Sequence, residues 1–128
     1  MTQVVREEEV QQVVVELLGE VMHLKRAKSI ALAVFGAMNS DRLCSGGIGM
    51  AMAAARGTSA KHGIKQVDRL LGNDRFDVTD FFTAYVPWVI AARQEVVVSL
   101  DWTEYATDGH SRIAINLVTE HGRATPLV

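Results

Sequence analysis

"EVVVSLDWTEYATDGH", residues 95–110, is where the hydrophobic period of the chain changes and its fold class is decided. Its first part, "EVVVSLDWT", reads as a continuous apolar run bounded by charged residues, the pattern of a β-strand covered on both faces. That strand is expected to end on a carboxylate, Asp101. An ionised carboxylate buried without a partner is costly, so Asp101 is expected either to meet a cation or to emerge into a solvated cleft. The plainer alternative is a strand-end aspartate that caps a turn. Downstream, "DG" at 108–109 marks a turn and "RIAINLVTE" the next strand. "HG" at 121–122 marks a second turn, and "ATPLV" begins a third strand. Consecutive strands with short turns form an antiparallel meander.

Upstream of residue 95 the period is helical. Val10, Val13, Val14, Leu17, Leu18, Val21 and Met22 recur at spacings of three and four, which predicts one helix over about residues 4–24. Glu7, Glu8 and Glu9 fall in its first turns, where the helix dipole favours negative charge. A second helix is expected from about Ala27 to Met38, closed by the turn-prone Asn39, Ser40 and Asp41. A later helix is expected from about Asp80 to Ala92, capped by Asp77 or Thr79. Pro87 lies inside it and predicts a kink or an early break near Tyr85. Phe81, Phe82, Tyr85, Trp88 and Ile90 of this segment are expected to form core between helices.

Between them lies "CSGGIGMAMAAARGTSAKHGIKQVDRLLGN", residues 44–73. Ser45 can cap a short helix rich in alanine and methionine, which Gly57 would end in a left-handed conformation. Ser59 can cap another helix that runs to about Leu71 and stops at Gly72 and Asn73. Two short helices joined by a glycine-containing turn form a helix-turn-helix pattern. On a helical wheel Ala60, Ile64, Val67 and Leu71 gather on one side. Lys61, His62, Lys65, Gln66 and Arg69 fill an arc of about 140° opposite them. Lys and Arg suit phosphates or guanine, Gln suits adenine edges and His suits either. The alternative reading of that arc is the solvated face of a surface helix.

Charge is distributed to match. Residues 1–20 carry five acids against Arg6, residues 21–75 nine bases against three acids, and residues 76–128 seven acids against three bases. A basic middle between acidic ends points to a local polyanion site. Hydrophobic content of 48% and charged content of 22% are those of an ordinary globular chain. No apolar stretch is long enough to span a bilayer, and no basic-then-apolar leader opens the chain, so cytoplasmic residence without a membrane partner is expected. Cys44, the single cysteine, can form neither an internal disulfide nor a zinc cluster.

Two stretches carry a family resemblance: "ARGTSAKHGIKQVDRLLGN" (55–73) and "VVVSLDWTEYATDGHSRIAINLVTEHGRATPLV" (96–128). In their order and separation the chain resembles the DDE transposases of bacterial insertion sequences, in the cut-and-paste branch that excises DNA through hairpin ends. The likeness covers residues 45–128 well and the first 44 loosely. It implies an α+β architecture: a helical DNA-binding domain over 1–75 and a connecting helix over 76–94. Residues 95–128 would then be the first strands of an RNase H-like core. It implies that Asp101 is the first acid of a triad holding two divalent ions, with Mg2+ suited to the all-oxygen ligand set. Lys61, His62, Lys65, Gln66 and Arg69 would contact transposon-end DNA.

The chain departs from the family after its third strand. The fourth strand, the second acid and the later glutamate are absent, and Glu104, Asp108 and Glu120 do not stand where the family's other acids do. The expectation is therefore the N-terminal portion of a transposase, able to bind DNA and inactive in phosphodiester cleavage by itself. Without its fourth strand, the "EVVVSL" strand would be an apolar sheet edge prone to pairing with other chains. Two other functions are consistent with the residues. One is a stand-alone DNA-binding regulator or inhibitor that pairs with full-length transposase, with homodimerisation as a further possibility. The other is a structural helical protein with no nucleic-acid partner.

Overall fold

A computed structural model describes residues 4–128, and among them the chain is α+β: five helices followed by three strands. It divides into two compact units, Met1–Val78 and Thr79–Val128.

In the first unit, α1 spans Glu7–Leu18 and α2 spans Leu24–Met38. The single helix expected over residues 4–24 is thus shorter. Its amphipathic stripe stops at Gly19, and Val21 and Met22 fold into a turn whose N–H groups both reach the Leu18 carbonyl, each at 3.1 Å. Helix α2 starts three residues earlier than expected because His23 caps it, Nδ1 accepting the Lys25 N–H at 3.2 Å. Helix α1 sends Val10, Val14 and Leu18 into the interior, and α2 sends Ala27, Ala31 and Leu32. Leu18 is fully buried, a burial worth about 2 kcal/mol.

Helices α3 (Ser45–Arg56) and α4 (Ala60–Leu71) follow, joined by residues 57–59. Cys44, rather than Ser45, caps α3: its Sγ accepts the Gly47 N–H at 3.3 Å, and Ser45 is the first helical residue. Gly57 ends α3 at φ 64°, the left-handed conformation that a residue without Cβ adopts freely. The Ser59 hydroxyl caps α4 through the His62 N–H at 3.3 Å, as its position in the sequence implies. The two helices cross at Gly49 and Gly63. A Cβ on Gly49 would lie 2.5 Å from the Ile64 Cα, and one on Gly63 would run into the Gly49 carbonyl. Leu32, Met52 and Val67 of α2, α3 and α4 close the core above this crossing, with Ala33 and Ile48 against them.

All of α5 (Val78–Ile90) but its first residue belongs to the second unit; the helix starts immediately after Asp77 and continues past Pro87 without the break expected near Tyr85. It ends at Ala91, held at φ 50°, and the Arg93 guanidinium caps the carbonyls of Val89 and Ile90 at 2.9 and 3.3 Å. None of its residues is buried, contrary to the expected interhelical core. Its large rings contact one another along the helix instead, Phe81 stacking on Tyr85 with centroids 5.2 Å apart. Spacings of three and four put those rings on one helix face, where they shield each other.

The sheet is the expected antiparallel meander, β1 (Val97–Tyr105), β2 (His110–Val118) and β3 (Ala124–Pro126) in the order β1-β2-β3. Glycines at φ 70° (Gly109) and 69° (Gly122) make its two turns. Register assigns the faces. Val98, Leu100 and Trp102 stand opposite Leu117, Ile115 and Ile113, while Ser99, Asp101 and Thr103 stand opposite Asn116, Ala114 and Arg112. The first strand is therefore two-faced and lies at the sheet edge. It is not covered on both sides: Leu100 is 70% exposed and Trp102 60%.

Candidate nucleic-acid interface

Helix α4 divides its residues by exposure. Gly63 and Val67 are buried, with Ile64 and Leu70 half-buried beside them. This differs from the wheel reading, in which Ala60 and Leu71 joined the apolar side; both are exposed, Leu71 at 74%. The helix turns on the Gly63 contact, which brings the line 63-67-70 against its neighbours in place of 60-64-67-71. Lys61, His62, Lys65 and Arg69 remain fully outward, and Gln66 is half-buried at the edge of the arc. Four of the five residues expected to meet DNA thus share one exposed face.

Gln66 and Arg69 also line a cavity of about 540 Å³ between the start of α2 and the end of α4. Its other cations are Lys25, Arg26 and Arg75, and no acidic side chain lines it. Its neutral polar groups include His23, Ser29 and Asn73, above a floor of Leu32, Met52 and Val67. Local hydrogen bonds order this rim. His23 Nδ1 accepts the Lys25 N–H, which leaves its ring proton on Nε2. The Ser29 hydroxyl donates to the Lys25 carbonyl at 3.0 Å, and Asn73 Oδ1 accepts the Arg75 N–H at 3.1 Å. Among the described residues no ion pair engages Lys25, Arg26 or Arg69, whereas Arg56 of α3 is held by Glu7 at 2.7 Å.

Asp101 lies in the middle of β1, paired with Ala114, and does not close the strand. Its carboxylate is exposed on the polar face of the sheet, accepting the Thr103 hydroxyl at 3.4 Å. Among the described residues no group of three His, Cys, Asp or Glu side chains stands where it could hold a metal ion. The residues around Asp101 therefore do not make a two-metal centre for Mg2+, and no catalytic step is assigned to it. No described helix is long and apolar enough to cross a membrane.

The wheel of α4 did not find His23, Lys25, Arg26, Asn73 or Arg75. The signal for them was present in the charge count of residues 21–75, in "HLKRAK" at 23–28 above all. Only the tertiary structure shows that this run shares a cavity lining with Arg69. The class defined by these observations is an α+β chain carrying a cationic helical face and an adjoining cationic cavity. No protein-family model, curated protein or solved structure gives a significant match to it.

Proposed function

We propose that this chain binds double-stranded DNA through α4, as the DNA-binding portion of a transposase of the DDE type. The observation that carries the reading is the outward face of α4, where Lys61, His62, Lys65 and Arg69 stand together, exposed, on a helix braced by the glycine crossing with α3. A short helix followed by a three-residue turn and a basic second helix is how a helix-turn-helix presents side chains to the major groove. In that role Lys61 and Lys65 neutralise phosphates, Arg69 reaches phosphate or guanine, and His62 and Gln66 take base edges. The bracing supports such a role because a backbone-to-backbone crossing leaves the recognition helix little freedom to shift. On the same reading the sheet supplies the first strands of an RNase H-like core, with Asp101 its first acid.

The test is a titration of the intact chain with transposon-end and mixed-sequence duplexes over a range of salt. Phosphate contacts make the logarithm of affinity fall with the logarithm of salt at about 0.9 per contact. The double substitution Lys61→Ala/Lys65→Ala is expected to flatten that slope by about two and to weaken binding at every sequence. Affinity that is absent at low salt would return the chain to a structural role.

A further inference from the structure

Beyond the arc on α4, the cavity between α2 and α4 calls for an occupant. It gathers four cations, Lys25, Arg26, Arg69 and Arg75, from three separate parts of the chain, with no acid in its lining. Like charges that share a lining with no acid in it repel one another, the more so where solvent is restricted. An arrangement of this kind is relieved by a polyanion. Free phosphate and nucleic acid share the required chemistry, but one feature favours the polymer. Arg69 belongs both to the exposed arc of α4 and to the cavity lining, so the cationic surface runs without interruption from one to the other. An isolated small-anion site would need no such continuity.

We infer that this cavity seats the phosphodiester backbone of the duplex whose groove α4 enters. The inference rests on the DNA-binding reading and extends the interface to three residues outside α4. Lys25, Arg26 and Arg75 are positioning residues in it: they hold the backbone and so set the depth and angle at which α4 meets the bases. The Asn73 amide, whose Oδ1 is engaged by the Arg75 N–H, has its NH2 left to serve as a neutral donor beside the charges.

The experiment measures duplex affinity against salt for the intact chain and for three variants: Lys25→Ala/Arg26→Ala/Arg75→Ala, Lys61→Ala/Lys65→Ala, and Lys28→Ala. Lys28 is an exposed base of α2 outside the cavity lining and reports the effect of net charge alone. Circular dichroism verifies the fold of each, and Arg26→Lys/Arg75→Lys stands in where the alanine variant does not fold. The expected result is a salt slope reduced by about two to three in the cavity variant, against about two in the α4 variant and little in Lys28→Ala. The lysine pair, which keeps the charge, should retain the slope and lose affinity through its lost bidentate contacts. An α4 variant that weakens binding beside a cavity variant that leaves the slope intact would overturn the inference and leave the DNA-binding reading standing. A loss of slope in Lys28→Ala equal to that per residue in the cavity would also overturn it. Absence of salt-dependent binding in the unaltered chain would remove both. A parallel titration with pyrophosphate, read on the amide signals of Ser29, Gln66 and Asn73, separates the two anion sources. Saturable shifts there, in a protein whose duplex binding ignores the cavity substitutions, would assign the cavity to a free anion and overturn the inference.

Discussion

Gly63 sets the geometry of the first unit through the atom it lacks. Its helix would gain about 1 kcal/mol in propensity from alanine, yet a Cβ there enters the Gly49 carbonyl and comes within 3.0 Å of the Ala53 Cβ. Backbone cannot yield as a flexible side chain does, and overpacking costs about 1–3 kcal/mol or more. Gly63→Ala is therefore expected to lower stability by about 2 kcal/mol, measured by urea denaturation, despite its better helix propensity. Gly46→Ala is the contrasting case. It sits in the first turn of α3 with nothing within 4 Å of its Cβ, so it should be neutral or stabilising. The sequence shows both glycines, but not which one is a contact. Asp101 illustrates the same limit, since its place in the middle of an exposed edge strand follows from register with Ala114.

At the level of elements, the ends at Gly57 and Ser59 were legible, whereas those at Gly19, His23 and Cys44 were not. Ser59, Gly57 and the run of acids in α1 act locally, and local chemistry can be read from neighbours in the chain. The start of α1 yields a pH dependence. The Arg6 backbone N–H, at 2.9 Å, and then its guanidinium, at 3.1 Å, hold the Glu9 carboxyl below its ordinary value of 4.5. A carboxylate with a lowered folded pKa adds stability that is present above 4.5 and is lost as pH falls through the lowered value. Carboxyl NMR should show Glu9 titrating below 4.5, with the first turn of α1 loosening over the same range. Arg6→Ala should return only part of the shift, because the backbone donor, the larger cause, stays. The face of β1 was misread because "VVV" hides an alternation. From Val98 to Thr103 the chain alternates apolar and polar, the period of a strand with one apolar face.

Across the whole molecule the two units differ in how much apolar surface they enclose. The first closes a core on Leu32, Met52 and Val67, while the second leaves Leu100, Trp102 and Ile113 more than half exposed and β1 at an open edge. Both tryptophans, Trp88 and Trp102, belong to the second unit, whereas four of the five helices lie in the first. Tryptophan fluorescence and far-ultraviolet dichroism therefore report on different units. Thermal unfolding is expected to depart from two-state behaviour, with the fluorescence transition preceding the loss of helix. Coincident transitions would show instead that the units unfold together. Strong hydrogen-exchange protection through β1 in a proven monomer would likewise count against a weak second unit.

The sequence alone determined the order of elements, the helix ends at Asn39, Gly57, Ser59 and Gly72, and the division between helical and strand segments, because each depends on residues within a few positions of one another. It also determined that the basic charge sits in the middle of the chain. Tertiary structure alone decided which side of α4 is covered, that Gly49 and Gly63 touch, and that the basic run at the start of α2 lines one cavity with Arg69. These are contacts between residues distant along the chain, and no local period encodes them. The glycine crossing arises where two backbones approach closely enough to exclude a side chain, and the cationic cavity where α2 and the end of α4 share a lining.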